Sequence, residues 1–336
     1  MTRVLIRTHL SRETGMGHAV RCRALAQVLK AHGAEVSFVT STPALCAFVV
    51  PFPCFVRLVR YAPVSMDSVG SDIVVIDANA DELSVTWMGE LRRRGARVVW
   101  IDKADVHPDA ADLVVLPGGH YAPTVLNRYE ALLPGRVLSG WDYVMLDPAV
   151  TAQPPMPYSA RVDGPIVVCA GGSDPEGALL QMYHWGAYLD INAPMVFLVG
   201  QHATHVPMAS DSHMRKYASV EPFARRWLQH AALVVGMFGI SVYESLFWRT
   251  PVVAFARTGD DALCLERLAS AGCLRLPCAP TPLFQRITHE RFCATIEASM
   301  DRKVRDGMHV ASADLIDGHG TARVADAIMA LAEKET

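Results

Sequence analysis

The residues best equipped for chemistry stand together in Thr14-Gly15-Met16-Gly17-His18-Ala19-Val20-Arg21. Histidine starts with a pKa near neutrality, so His18 is a candidate base for a water or a hydroxyl. The apolar run Val4–Ile6 upstream and the helical spacing of Val20, Leu25 and Leu29 downstream make this a strand, a Gly-x-Gly turn and a helix. In open α/β folds such a turn lies at the carboxyl edge of a sheet, where ligands bind. The same spacing also fits a scaffold turn with no chemistry.

Two more Gly-rich stretches follow apolar runs: Gly171-Gly172-Ser173 after Ile166–Cys169, and Gly236 to Glu244 after Leu233–Val235. The second opens a helix at Gly239-Ile240-Ser241. A helix N-terminus presents unpaired N–H groups and about half a positive charge, which suits an anionic diphosphate. Ser241 adds a hydroxyl, and Glu244 one turn later can reach a ribose diol. Ser-x-x-Glu fits a capping box equally well. Asp77 and Asp102 close apolar runs at the same kind of edge, where each serves a site or caps a helix. Asp260-Asp261 is an adjacent pair suited to accepting sugar hydroxyls or to an N-cap.

The elements that must position these residues alternate throughout. Strands are predicted at Val4–Ile6, Val36–Val39, Ile73–Ile76, Val98–Ile101 and Leu113–Leu116, with helices at 18–32 and 82–94. Proline-rich residues 150–164 read as a linker. The second half repeats the layout, with strands at Ile166–Cys169, Met195–Val199, Leu233–Val235, Val252–Phe255 and a short Leu274–Leu276. Its helices fall at 176–189, 222–230, 241–248, 260–271 and 288–300. Gly320 to Ala332 forms an amphipathic helix. The expectation is an α/β protein of two doubly wound, Rossmann-like domains facing across a cleft, 1–150 and 165–319, followed by the helical segment 320–336.

Composition limits the partners. The chain has 336 residues, 51% hydrophobic against 19% charged, and a net charge of −3. That favours two globular domains and argues against nucleic acid, since Arg92-Arg93-Arg94 is the only basic run. No apolar run approaches the ~20 residues of a membrane span, and the N-terminus reads as a strand, so a cytoplasmic location is expected. The eight cysteines lack zinc spacing and read as small buried hydrophobes, while His202, His205 and His213 read as exposed loop. No metal site is expected.

Taken together, Gly-x-Gly-His-x-x-Arg, Gly-Gly-Ser-Asp-Pro and Gly-x-Ser-x-x-Glu resemble the UDP-sugar hydrolases of pseudaminic acid biosynthesis (PseG) and, more distantly, MurG-like glycosyltransferases of the GT-B fold. Arg21-Cys22-Arg23-Ala24-Leu25-Ala26 and Gly140-Trp141-Asp142-Tyr143 support the resemblance, which runs over most of the chain. It implies a GT-B fold whose last helix returns to the first domain. It also implies a nucleotide, UDP in the first instance, held by Gly171, Gly172, Ser173, Gly239, Ile240, Ser241 and Glu244. The sugar would lie near Gly15, Gly17, Arg21, Asp77, Asp102, Asp260 and Asp261, with His18 activating the nucleophile and no cofactor or metal needed.

The departures from the family lie on the sugar side. Asp77-Ala78-Asn79 stands where the family has Asp-His-Tyr, Asp102-Lys103 replaces Asp-Asp, Leu146-Asp147-Pro148 replaces Leu-Arg-Pro, and Gly259-Asp260-Asp261 replaces Glu-Asn-Gln. A different sugar or acceptor is implied. Hydrolysis of a nucleotide sugar is the leading expectation. Transfer to a small-molecule acceptor hydroxyl is the alternative, and a non-catalytic nucleotide-sugar binding protein the third.

Overall fold

A computed structural model of the chain describes residues 1–8, 16–40, 55–58, 70–77, 85–102, 111–119, 121–207 and 218–333. The chain divides into two compact units, one of Met1–Ser11, His18–Ala149 and Gly318–Thr336, the other of Arg12–Gly17 and Val150–Asp317.

The first unit runs β1 (Arg3–Thr8), α1 (Gly17–Ala31), β2 (Glu35–Thr40), β3 (Phe55–Leu58), β4 (Ile73–Asp77), α2 (Val85–Arg93), β5 (Arg97–Ile101), β6 (Leu113–Pro117), α3 (Pro123–Leu132) and β7 (Val137–Gly140). Every residue of β4 and β6 is buried. Val/Ile/Leu runs without alternation form strands covered on both faces, as parallel sheets require. The order is β3-β2-β1-β4-β5-β6-β7, all parallel. The chain moves outward from β1 in one direction and resumes at β4 in the other. The topological switch point therefore lies between β1 and β4, and the crevice outside their carboxyl ends is where such sheets bind ligands.

The second unit contains β8 (Ile166–Cys169), α5 (Ala178–Gly186), β9 (Met195–Val199), β10 (Ala218–Pro222), α6 (Arg225–His230), β11 (Leu233–Met237), α7 (Ile240–Phe247), β12 (Val252–Phe255), α8 (Gly259–Ser270), α9 (His289–Ser299) and α10 (Arg302–Ala311), with the short α4 (Pro148–Thr151) at its entry. Its sheet, β10-β9-β8-β11-β12, is also wholly parallel, with its switch point between β8 and β11. Phe255, Phe284 and Phe292 pack as a buried aromatic cluster beneath it.

The proline-rich stretch 150–164 is not a loose tether. Arg161 within it is almost fully buried and donates to Thr250 Oγ1 at 2.6 Å and to the carbonyls of Trp248 at 2.8 Å and Met156 at 2.5 Å. Trp248 Nε1 in turn donates to Gln153 O at 3.0 Å. Proline and glycine break periodicity, which is what the sequence displays, but they do not prevent docking through side chains.

After the second unit the chain rejoins the first with α11 (Gly320–Glu333). Thr321 Oγ1 donates to Leu146 O at 2.7 Å and Arg323 Nη1 to Asp142 O at 3.0 Å. Val324 and Ile328 are fully buried. Burial of each stabilises by ~1.5–3 kcal/mol, against ~0.5–1.5 for each hydrogen bond, so the apolar stripe holds this helix.

Several element assignments differ from the sequence reading. Leu274–Leu276 is no strand: Arg275 makes only an isolated bridge to Val253. The reading lacks β3, β7, β10, α3 and α10. The strands among these are short and lie at sheet edges, with β7 only half-buried, and α10 carries five polar or charged residues in ten.

Candidate functional site

At the switch point of the first sheet, four elements bring ionisable side chains together. His18 stands in the first turn of α1, Asp77 ends β4, Asp102 follows β5, and Tyr121 precedes α3. The Asp77 carboxylate is completely buried, with Oδ1 2.5 Å from His18 Nδ1. Arg21, one turn after His18, grips it with Nε to Oδ2 at 2.7 Å and Nη2 to Oδ1 at 2.6 Å. Arg21 Nη2 also donates to Asp102 Oδ2 at 2.8 Å, and Tyr121 gives its O–H to Asp102 Oδ1 at 2.8 Å. Cys22 Sγ donates to Asp77 Oδ2 at 3.2 Å.

This arrangement selects the histidine tautomer. Burial alone would push the Asp77 carboxyl up, but the charge of Arg21, then that of His18, outweighs it and holds the group well below the usual carboxylate range. An ionised carboxylate only accepts, so Nδ1 must donate to it. Arg21 Nη2 lies 3.0 Å from Nδ1, but its two protons go to Asp77 and Asp102. The basic lone pair of His18 is therefore on Nε2. The Cys22 thiol is raised well above its ordinary value by burial, then by the charge of Asp77, and stays protonated.

At the switch point of the second sheet the groups are mostly backbone. Gly171 turns at φ 89°, a conformation that favours glycine. A Cβ on Gly200 would come within 2.3 Å of Gly171 O and 2.5 Å of Gly172 O, so the turn after β9 is laid directly on the turn after β8. Asp174 is buried and caps α5, accepting from Ala178 N at 2.9 Å and Leu179 N at 3.0 Å. Arg257, just past β12, donates through Nη2 to Ala170 O and through Nη1 to Phe238 O at 3.2 Å. It thereby ties the turns after β8 and β11 together.

The structure decides between alternatives that the sequence leaves open. The N-cap of α7 is Gly239 with extended backbone, and it receives no side-chain cap, so Ser241 and Glu244 are not a capping box. Ser241 is buried in the first turn, and Glu244 is buried with Oε1 2.8 Å from Arg225 Nε. Asp261 is the reverse case. Its carboxylate and Thr258 form the capping box of α8, while Asp260 is exposed in the same turn.

Asp77 corrects an expectation: with no exposed surface and its oxygens taken by His18, Arg21 and Cys22, it faces His18 and not an open sugar site. Gly17 begins α1, with open space where a Cβ would stand. Gly15, Cys46, Cys54 and His213 lie outside the described residues. Asp147, where the resemblance implies a cation, finds its partner in Arg23 of α1 at 3.1 Å.

Arg225, Arg257 and Tyr121 were missed by the sequence reading. The one available signal was position, since Arg257 closely follows an apolar run whose carboxyl end reaches the same edge as the Gly-rich turns. Among the described residues no group of three or more His, Cys, Asp or Glu is placed to hold a metal, and no helix is long and apolar enough to cross a membrane.

Comparison with known structures defines the fold. No protein-family model matches the chain, and no curated protein sequence matches it. Among solved structures it is similar over nearly its whole length to MurG of Acinetobacter baumannii, with a TM-score of 0.67 at 15% identity over 98% of this chain and 100% of that one. A calicheamicin glycosyltransferase aligns with a TM-score of 0.66 at 15% identity, covering 99% of each chain. MnaA of S. aureus, solved with UDP, aligns at 0.66 and 12% identity over 99% of this chain and 97% of that one. The fold is that of the GT-B proteins. The PseG-like subfamily suggested by the motifs is not among these similar structures.

Proposed function

We propose that this protein is an enzyme that cleaves the anomeric C–O bond of a nucleotide-linked sugar, UDP-linked in the first instance, using an oxygen nucleophile deprotonated by His18. The observation that carries the reading is the 2.5 Å pairing of His18 Nδ1 with Asp77. It leaves Nε2 as the proton acceptor and supplies a buried counter-charge for the imidazolium that forms. In the step, Nε2 takes the proton, the nucleophile's oxygen bonds to C1, and the C1–O electron pair departs with the diphosphate. The second unit holds the nucleotide. N–H groups of Gly239, Ile240 and Ser241, with Gly171, Gly172 and the Ser173 hydroxyl, would receive the diphosphate charge, aided by the Arg257 cation. Glu244, oriented by Arg225, would take the ribose diol. This scheme uses no divalent ion, so turnover should survive a chelator.

Water is the nucleophile in our first reading, supported by the resemblance of the His18 motif to the hydrolases. An acceptor hydroxyl is the second, favoured by the glycosyltransferases among the similar structures. Incubation with a panel of UDP-sugars in ¹⁸O-labelled water, with and without acceptors, separates them. Free sugar labelled at C1 means hydrolysis; UDP released only with an acceptor, together with an unlabelled glycoside, means transfer. No consumption of any nucleotide sugar would overturn the proposal.

A further inference from the structure

Resting on the reading of His18 as a base, we propose that Asp102, acting through Arg21, is a charge-balancing positioning residue for that base and not a contact to the sugar. The geometry starts with Arg21, whose fork spans two carboxylates, Asp77 at 2.6–2.7 Å and Asp102 at 2.8 Å. Were Asp77 and Arg21 alone, their charges would cancel. A proton arriving on His18 would then create a net positive charge in a largely buried cluster, which is costly. Asp102 changes the sum. With His18 neutral the three charged groups total −1, and with His18 protonated the cluster totals zero. The cluster is thus balanced for the state in which the base has done its work.

Two neutral groups also face this cluster. From α1 comes the Cys22 thiol, held protonated by burial, and from the turn before α3 comes Tyr121, almost fully buried and donating its O–H to Asp102. The backbone also favours this use of Asp102. It sits at φ 80°, a left-handed conformation that residues other than glycine seldom adopt, and its N–H is held by Val115 O at 2.8 Å. Both carboxylate oxygens are engaged within the first unit, by Arg21 and Tyr121.

The test compares Asp102→Asn, Arg21→Lys and Tyr121→Phe in the full-length protein. His18 is followed by NMR titration of its ring, its signal identified by loss in His18→Gln, alongside pH–rate profiles on a UDP-sugar. In Asp102→Asn the His18 midpoint and the acid limb of kcat should both move down by roughly half a pH unit or more at low salt, with KM nearly unchanged. Arg21→Lys keeps the charge but loses the fork, so kcat should fall several-fold while the midpoint stays close to wild type. Tyr121→Phe alters no charge and should leave the midpoint in place. An unmoved midpoint in Asp102→Asn, or a raised KM with kcat and the acid limb intact, overturns the proposal and makes Asp102 a sugar contact. The titration needs no turnover, so absence of activity in the wild type would count against the proposed function and leave the coupling decided by NMR.

Discussion

The two switch points of this protein are built from different materials. In the first unit the carboxyl edge is a side-chain network, in which His18, Arg21, Asp77, Asp102 and Tyr121 from four separate elements satisfy one another's charges and protons. In the second unit the edge is largely backbone. Gly171 and Gly200 let two turns approach, Arg257 bridges two carbonyls, and Asp174 and Asp261 cap helices. On the proposed function, the contrast separates two tasks. Proton transfer needs a base with a tuned environment, whereas an anion can be held by N–H groups whose direction the chain path sets.

That contrast can be broken most decisively at His18. Removing the imidazole in His18→Ala should lower kcat by about 10²–10⁴-fold, while UDP affinity by calorimetry stays unchanged. Loss of UDP binding in this variant would mean that the two edges do not divide the work.

Asp77→Asn should come next. It strips a buried charge from the arginine, histidine and thiol that donate to it, and breaking such a buried pair costs ~3–5 kcal/mol of stability. The pH dependence gives a sharper reading. The folded-state value for Asp77 is depressed, so its contribution is complete above the unfolded carboxyl range and is lost as the pH falls through the folded value. Wild-type Tm should therefore decline on acidification below about pH 4, and that component should be absent from the variant. Equal slopes would deny Asp77 its place in the network.

In the second unit, substitutions should act on affinity and stability together. Gly200→Ala forces a methyl against the Gly171 and Gly172 carbonyls, and overpacking of this kind costs ~1–3 kcal/mol. UDP binding should weaken even though no side chain has been removed. Ser241→Ala is milder and should cost at most the ~1–3 kcal/mol of a hydrogen bond to a charged group. A lowered Tm with normal UDP affinity would return Ser241 to packing alone. The smallest effect belongs to Thr258→Ala, which deletes the cap of α8 for about 1 kcal/mol and should leave UDP affinity and kcat untouched.

Much of the fold was legible because it depends on local pattern. Ile166–Cys169, Met195–Val199 and Val252–Phe255 are wholly apolar runs long enough for a doubly buried strand, and their helices announce themselves by spacing. His18 and the Gly-rich turns were legible for the same reason, since a turn ahead of a helix carries its geometry in a few adjacent residues. Whether Ser241 and Glu244 formed a capping box was not, because Ser-x-x-Glu is ambiguous until the partner of Glu244 is known. That partner is Arg225, 19 residues away.

By itself, then, the sequence determined two parallel-sheet halves, their Gly-rich turns and a histidine at the head of a helix. Only the tertiary structure decided what the acidic residues do. Asp77 and Asp261 look alike as carboxylates beside apolar runs, yet one is buried against a histidine and an arginine while the other caps its own helix. Spacing along the chain fixes which residues share a turn or a face. The state of a buried charge depends instead on what stands within a few ångströms of it, and here His18, Asp77, Asp102 and Tyr121 are brought that close only when distant strands align.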